Sequence, residues 1–573
     1  MLTARSGLAL LLAALAPASR GYPQAPADLV LRGGRVYTVS EHQSKAEAIA
    51  VVGDRIAFVG STADVARFVG PRTRVVELGG RVVVPGLTDS HYHLLGVGLR
   101  EFTLNLQGSR SVAEVLTRLR SRVSAAEPGE WVTGYGWIET HWTPARFLTR
   151  ADLDSISPDN PIFLTRADGH ASVANSAALR AARVTRDTKP PFGGDLLRDT
   201  HGELTGMLID NAQALVKAHI PDPTPAELDR AVLLGVNRSL RLGWTEIHDP
   251  GQTWNHVERL RRLYREGKIK LRIYQAIRGP GPEADRLIAQ GASIGEFEGR
   301  LTIRTIKAYL DGALGSRGAL LLAPYSDAPT THGLLVTDLA AFRPMLAAAL
   351  RRGIQVETHA IGDSANRLLL NLYADAFKTV PESERVVRRP RWRDEHAQVV
   401  APADIARFAQ LGVIPSMQAS HAIGDLFFAP SRLGPERLKG AYAWRSILRT
   451  GVPIPGGSDA PVELGEPMIE FYAAVARKDT SGFQGPDWHP EQALSRQEAL
   501  KMLTLWPAFA AFQERQRGSI EVGKWADLTV LSADIMQIPE REILRTRCVM
   551  TVVGGDVVFE EKREPEKSVN GKQ

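Results

Sequence analysis

The 573-residue chain contains a single cysteine, Cys548. One thiol excludes an internal disulfide and any metal site or cluster built from several thiolates. It leaves the compartment open, because exported proteins without disulfides exist. An excess of one charge sign is also missing: 70 Lys and Arg stand against 64 Asp and Glu, a formal net charge of +6. The densest basic stretch, Arg385 to Arg393 (RVVRRPRWR), has no helical face and no interleaved aromatics. It reads as a solvated loop leading into a strand, and no nucleic-acid partner is expected. No stretch approaches the ~20 apolar residues that cross a bilayer. With 44% hydrophobic and 23% charged residues, the chain is neither disordered, collagen-like nor polytopic. Its length suits three or four structural units, or one large barrel with additions.

The first residues carry a leader. Arg5 supplies a short positive region, Gly7 to Ala16 (GLALLLAALA) an apolar one, and Ala16-Pro17-Ala18 a small-residue cleavage site. Residues 1–22 are read as a cleavable secretory signal. The alternatives are an uncleaved anchor and a misassigned start. Cleavage predicts an exported protein, periplasmic or extracellular, with no stable membrane insertion afterwards.

Beyond the leader the chain alternates between two textures. Residues 26–85 hold β-branched runs (LVLRGGRVYTV, AIAVVGDRIAFVG) broken at Gly-Gly and Gly-Asp turns, and residues 506–560 hold more (DLTVLS, CVMTVVGGDVVFE). The two ends are expected to form one composite β-sandwich. The tail at 561–573 is polar and reads as disordered. Between them, helical stretches alternate with eight short apolar strands: RVVVPGLTDSHYH, GWTEIHDP, KLRIYQAI, LTIRTIKAYLDG, GIQVETHAIGD, PRWRDEHAQ, GVIPSMQAS and GVPIPGGSDAP. The fold class is therefore α/β, a (β/α)8 TIM barrel over 86–505, in which catalytic groups belong at the C-terminal strand ends. Roughly 150 residues separate the first two strands, far more than one helix needs. An insertion subdomain is expected there, at about 105–240.

The strand ends are chemically distinctive. Strand one ends in His91-Tyr92-His93, and alternation puts both imidazoles on one side, able to grip one ion. Strand four carries Lys307, with Asp311 beyond it. Strands five, six and eight end in His359, His396 and Asp459. Singly, each residue is better explained as structural. Together, four imidazoles and a carboxylate at the ends of barrel strands converge on one axis point. Nitrogen and oxygen ligands without thiolate suit zinc, as one or two ions, with Mn, Fe, Co or Ni as alternatives. Such an ion activates water and polarises a scissile carbonyl, and a neighbouring aspartate can move the proton.

The segments PGLTDSHYH, KAYLDGALGSR, ETHAIGD, RDEHAQ and GSDAPVE resemble the metal-dependent amidohydrolase superfamily, and more closely its branch that includes N-substituted formamide deformylases. The flanks DLVLRGGRVYTV and GSIEVGKWADLTVLSAD, and the inserted ADGHASVANSAAL and HGELTGML, extend the likeness over nearly the whole chain after the leader. The resemblance implies that His91 and His93 bind the more buried metal, that Lys307 is carboxylated to a carbamate bridging two metals, and that His359 and His396 bind the second. It implies that Asp459 is both ligand and general acid/base. The activity implied is hydrolysis of a C–N bond other than a peptide bond in a small-molecule, amide-type substrate.

Further residues complete the expected site. His170, Trp137 and Arg317 are candidate substrate contacts, with Tyr135 and Trp142 as further pocket walls. Each competes with a structural role: a hydrogen bond for His170, the insertion's own core for the aromatics, a loop-bracing ion pair for Arg317. His248 and Asp311 are candidates to support the ligands from behind. His42, His141, His201, His219, His256, His332, His421 and His489 are left as non-ligands. The rival readings are the same metal site acting on an ester, a lactone or a dipeptide-type substrate, and a non-catalytic ligand-binding relative. No strand-to-helix nucleophile elbow is read in the chain, so a serine hydrolase is not expected. Self-association into a homo-oligomer is left open.

Overall fold

The computed structural model describes residues 26–562, apart from Glu101, Asp487 and the side chain of His141. The predicted leader at 1–22, and the predicted tail from 563 onward, lie outside the described residues. Eight parallel strands run around a barrel: β1 (Leu87–Asp89), β2 (Trp244–Gln252), β3 (Arg272–Arg278), β4 (Leu301–Tyr309), β5 (Gln355–Ala360), β6 (Arg393–His396), β7 (Ile414–Gln418) and β8 (Gly456–Gly457). Strands buried on both faces need near-continuous apolar sequence. The β4 run LTIRTIKAY is largely buried, and the β5 run QVETHA is buried throughout although Gln355, Glu357, Thr358 and His359 are polar.

The ring closes between β8 and β1 by backbone hydrogen bonds. Ser90 N donates to Gly456 O at 2.9 Å, and just past the strand ends Asp459 N donates to His91 O at 2.7 Å and His93 N to Ala460 O at 2.8 Å. The two strands press close enough that a Cβ on Gly457 would stand 2.5 Å from His91 N. That approach requires glycine at 457, while a Cβ on Gly456 would stand 2.5 Å from the Met502 side chain.

The first expected strand, Arg81 to His93, is in fact two. Val82–Pro85 pairs antiparallel with Leu528–Leu531 in the flanking sandwich, and only Leu87–Asp89 enters the barrel. The chain changes sheets at Gly86, whose N donates to Asp527 O at 2.8 Å. The sandwich has one sheet of Leu29–Arg32, Ala48–Val52, Arg55–Gly60 and Arg74–Glu77. The other joins Arg35–Tyr37, Lys45–Ala46 and Val82–Pro85 to Leu528–Leu531, Cys548–Val553 and Asp556–Glu560. Leu31, Ile49 and Val51 of the first sheet pack against Val83, Leu528 and Val552 of the second. Both ends of the sequence thus build one sandwich.

The insertion is a mixed sheet whose six strands lie between Leu104 and Asp210. It ends earlier than expected. Pro225–Leu242 is the barrel helix leading into β2, started by Pro225 and a Thr224–Glu227 capping box and stopped by Gly243 at φ 99°. It packs against Leu94–Arg100, where a Cβ on Gly98 would lie 1.8 Å from Ala231 O. Only a residue without a side chain permits that crossing. Gly98→Ala should destabilise the fold by ~1–3 kcal/mol, the cost of overpacking. A denaturation midpoint equal to wild type would show that the helices can separate freely. No helix among the described residues is long and apolar enough to cross a membrane.

Candidate active site

The C-terminal ends of the strands and the inner edge of the insertion enclose a cavity of about 510 Å³. His170, His359, His396, His421 and Asp459 line it.

Asp459 sits just after β8 at φ 59°, and His396 at the end of β6 at φ 80°. Non-glycine residues held in the left-handed region cost of order 1–3 kcal/mol, and such strain persists where surrounding structure imposes it. Here it turns both side chains into the cavity. The Asp459 carboxylate lies between two sets of imidazoles. Its Oδ1 is 3.1 Å from His93 Nε2 and 3.7 Å from His91 Nε2, while Oδ2 is 3.7 Å from His421 Nε2. Two groups of potential ligands share it: His91, His93 and Asp459, and His396, His421 and Asp459. Burial alone would raise the pKa of this carboxylate, but the imidazoles of His91, His93 and His421 outweigh it and hold Asp459 below the usual carboxylate range.

Several rings have a fixed tautomer. His91 Nδ1 donates to the buried carboxylate of Glu395. His396 Nδ1 donates to Gln418 Oε1 at 2.7 Å, and His170 Nδ1 to Asp210 Oδ1 at 2.6 Å. An ionised carboxylate and an amide oxygen only accept, so each ring carries a proton on Nδ1. His91 and His396 then present the Nε2 lone pair, whereas at His170 the Asp210 carboxylate outweighs burial and raises the ring toward its imidazolium form. Burial drives His91, His359 and His396 well below the usual imidazole range, Lys307 adding to the effect at each. The neutral form, which can donate a lone pair to a cation, is thereby favoured. The buried Nε2 atoms of His359 and His421 have no hydrogen-bond partner. Orphaned lone pairs of this kind are costly unless something fills the space between them. The residues therefore fit a divalent cation.

Lys307 on β4 is 1% exposed, and its Nζ donates to His91 Nε2 at 3.0 Å. His359 at the end of β5 packs its ring 4.5 Å from that of His396 and 5.0 Å from that of His170. These contacts link the six residues expected as ligands, but the two groups placed to share an ion take in His91, His93, His396 and Asp459 with His421, and include neither Lys307 nor His359.

The other expected residues divide. His170 lines the cavity. Asp311 takes backbone N–H groups from Ile361, Gly362 and Leu320 at 2.8–3.0 Å, with its Oδ1 3.6 Å from His359 Nε2. It ties the loops after β4 and β5 together, and burial raises it to about 7. His248 Nδ1 accepts from Arg393 Nη1 at 3.0 Å, while Arg393 Nε pairs with Glu395 at 2.6 Å. It supports His91 through two intermediaries. Trp137 does not wall the cavity: its indole is fully buried in the core of the insertion, where Nε1 donates to Leu164 O at 3.1 Å. Trp142 is in the same core, and Gly136 and Ile138 face the cavity instead. Arg317 does not line the cavity either; Asp327 engages it at 2.9 Å.

Three residues of the site have roles that the sequence pattern does not reveal. His421, expected among the non-ligands, falls three residues after β7, and the helix Ala419–Asp425 turns it back over the cavity. Its position beyond the one late strand lacking a ligand is the available signal. Arg393 and Glu395 alternate on β6 and so share a face, but no local pattern shows what that face meets.

Residues 74–559 match the amidohydrolase family. The chain is a member of the amidohydrolase family. This amidohydrolase is 32% identical over 541 residues to the Bacillus subtilis (strain 168) protein YtcJ, a match covering 93% of this chain and 99% of that one. It is 29% identical over 552 residues to the N-substituted formamide deformylase of Arthrobacter pascens, covering 93% and 98%. The crystal structure of a metal-dependent hydrolase from Pyrococcus horikoshii OT3 superposes with a TM-score of 0.71 at 26% identity, over 89% of this chain and 99% of that one. Family, fold and the histidine–aspartate clusters make this amidohydrolase a metal-dependent hydrolase, suited to metal-activated hydrolysis of a C–N bond.

Proposed function

We propose that this amidohydrolase cleaves a small-molecule, amide-type C–N bond other than a peptide bond, with zinc as its ion. The observation that carries the reading is the Asp459 carboxylate held between two sets of imidazoles at the floor of a cavity. A divalent ion bound by these residues supplies Lewis acidity toward a carbonyl and toward water. The protein's own part is positioning and proton transfer. His91, His93, His359 and His396 present lone pairs, and the Nδ1–H bonds of His91 and His396 fix their rings. Asp459 takes the proton of the attacking water on a carboxylate oxygen and returns it to the departing amine nitrogen as the C–N bond breaks. Its lowered pKa suits the second half of that exchange, since a stronger acid gives its proton up readily.

Lys307 is proposed to carry a carbamate. Its amine is buried and faces the His91 Nε2 lone pair. Condensation of the neutral amine with CO2 forms an N–C bond, releases a proton and replaces a hydrogen-bond donor by two anionic oxygens. A cation held by His91 would favour that exchange by pairing with the carbamate's negative charge. The likeness to an N-substituted formamide deformylase supports an amide over an ester or lactone. The leader read at 1–22 supports an exported protein.

Chelation should remove the ion, as read by elemental analysis, and abolish hydrolysis of a panel of N-acyl amines. Adding back Zn²⁺ should restore it, and matched esters should be poorer substrates. Turnover that survives complete metal removal would overturn the reading. An intact mass without added CO2, measured under native conditions on active enzyme, would remove the carbamate.

A further inference from the structure

Beyond the metal ligands, the cavity wall has an unusual balance of charge. Among its lining residues, four carry carboxyl groups: Asp168, Asp425, Asp459 and Glu463. Arg166 is the lone Lys or Arg among them. Its guanidinium is already committed, to both oxygens of Glu139 at 2.9 and 3.0 Å and to Asp168. A guanidinium shared by two carboxylates leaves little for a third.

Asp425 and Glu463 come from the loops after β7 and β8. Asp425 accepts from the Tyr442 hydroxyl and from Gln398 Nε2, both neutral donors. The Oε1 of Glu463 would lie 3.5 Å from a Cβ built on Gly424, so the two acids flank one stretch of wall. Burial pushes Asp425 up to about 7 against the Tyr442 hydrogen bond and the pull of Arg166. Burial, then Glu470 and Asp425, pushes Glu463 well above the usual carboxylate range. Two acids thus sit recessed in the wall without a cation of their own.

A second, independent feature lies beside them. Gln398, after β6, lines the same cavity and is 4% exposed, yet its Oε1 has no hydrogen-bond partner. Its Nε2 donates to Asp425 and to the Tyr442 oxygen, so exchanging the amide oxygen and nitrogen would lose the bond to the Asp425 carboxylate. An orphaned buried acceptor costs about 1–3 kcal/mol unless a donor arrives. This wall therefore presents an unmet acceptor and two carboxyl groups whose ionised form an arriving cation would favour.

We infer that this wall is a subsite for a cationic group of the substrate, a protonated amine or a guanidinium, held by Asp425, Glu463 and Gln398 Oε1 while the amide lies against Asp459. The inference rests on the proposed C–N hydrolysis and names the substrate class: amides of diamines or of other amine-bearing molecules. An ammonium offers three donors and one charge, which meets the Gln398 carbonyl and the two acids together. Apolar side chains on the cavity wall, Leu314, Phe428 and Val462, suit the carbon chain between the two ends.

The test compares a monoacetylated aliphatic diamine with the N-alkylacetamide that carries a methyl group in place of the ammonium. Binding of each to metal-loaded enzyme is measured by calorimetry, and hydrolysis is measured separately. The diamine amide should bind at least about tenfold more tightly, a modest return for a desolvated charge pair. That preference should fall toward unity in Asp425→Asn and in Glu463→Gln. Equal or tighter binding of the neutral amide to wild type would overturn the inference, whatever the variants do. Preferential binding without cleavage of either amide would leave the cationic subsite standing and remove the C–N reading. Cleavage of both with equal affinity would do the reverse.

Discussion

Asp459→Asn should lower kcat by roughly 10²–10⁴-fold, the range a positioned proton-transfer group supplies. The substitution keeps the shape of the side chain and one oxygen. It removes the charge and the ability to take and return a proton. Because Asp459 stands 3.1 Å from His93 and 3.7 Å from both His91 and His421, it also touches both candidate ion positions. The amide oxygen can still approach an ion, so metal content measured on the purified variant should fall far less than activity. Asp459→Ala should lose both. Full turnover in Asp459→Asn would show that the proton moves by another route. Loss of metal in step with activity would make Asp459 chiefly a ligand.

The second large effect concerns folding. Arg393 is fully buried inside the barrel, with Nε 2.6 Å from Glu395 and Nη1 3.5 Å from Glu357. Its Nη2 also donates to Ser90 O at 2.6 Å and to Ser416 Oγ at 2.8 Å. Arg393→Met keeps much of the volume and leaves the carboxylates without their cation. Breaking a buried pair from one side costs about 3–5 kcal/mol. The variant should unfold at clearly lower denaturant than wild type. It should also bind its ion more weakly, because Glu395 is the group that orients His91. An unchanged midpoint would mean that the barrel tolerates Glu357 as a neutral acid. Glu357 already lies near that state, since burial lifts it to about 7 against the pull of Arg393.

The barrel and its ligands are legible in the sequence because both signals are local. The ligands stand at or just past the ends of short strands that alternate with helical stretches, and the catalytic groups of such a barrel belong at those ends. His91, His359, His396 and Asp459 can be placed on strand ends without knowing their neighbours. What stays hidden depends on neighbours. Residues 82–85 and 87–89 read as one strand, since nothing local shows that the first half pairs with Leu528–Leu531. Trp137 reads as a pocket wall because its true direction is set by the core it packs into, with Trp142 and Leu164. His421 lies outside any strand, and only the turn into the Ala419–Asp425 helix aims it at Asp459. Arg393 and Glu395 are visible as charges in a strand, and their meaning comes from Ser90 and His91 on the far side of the barrel.

The closure of the ring between β8 and β1 has a thermodynamic meaning. Its backbone hydrogen bonds use His91 O, Asp459 N and His93 N, from residues whose side chains face the candidate ion. These residues come from opposite ends of the barrel sequence and meet across that seam. An ion bound by His91, His93 and Asp459 therefore spans the join as a rivet spans two plates. It binds the closed ring and has no comparable site on an open one, so its binding free energy adds to closure by mass action. Catalytic readiness and the integrity of the barrel are then one equilibrium, read at the same few atoms.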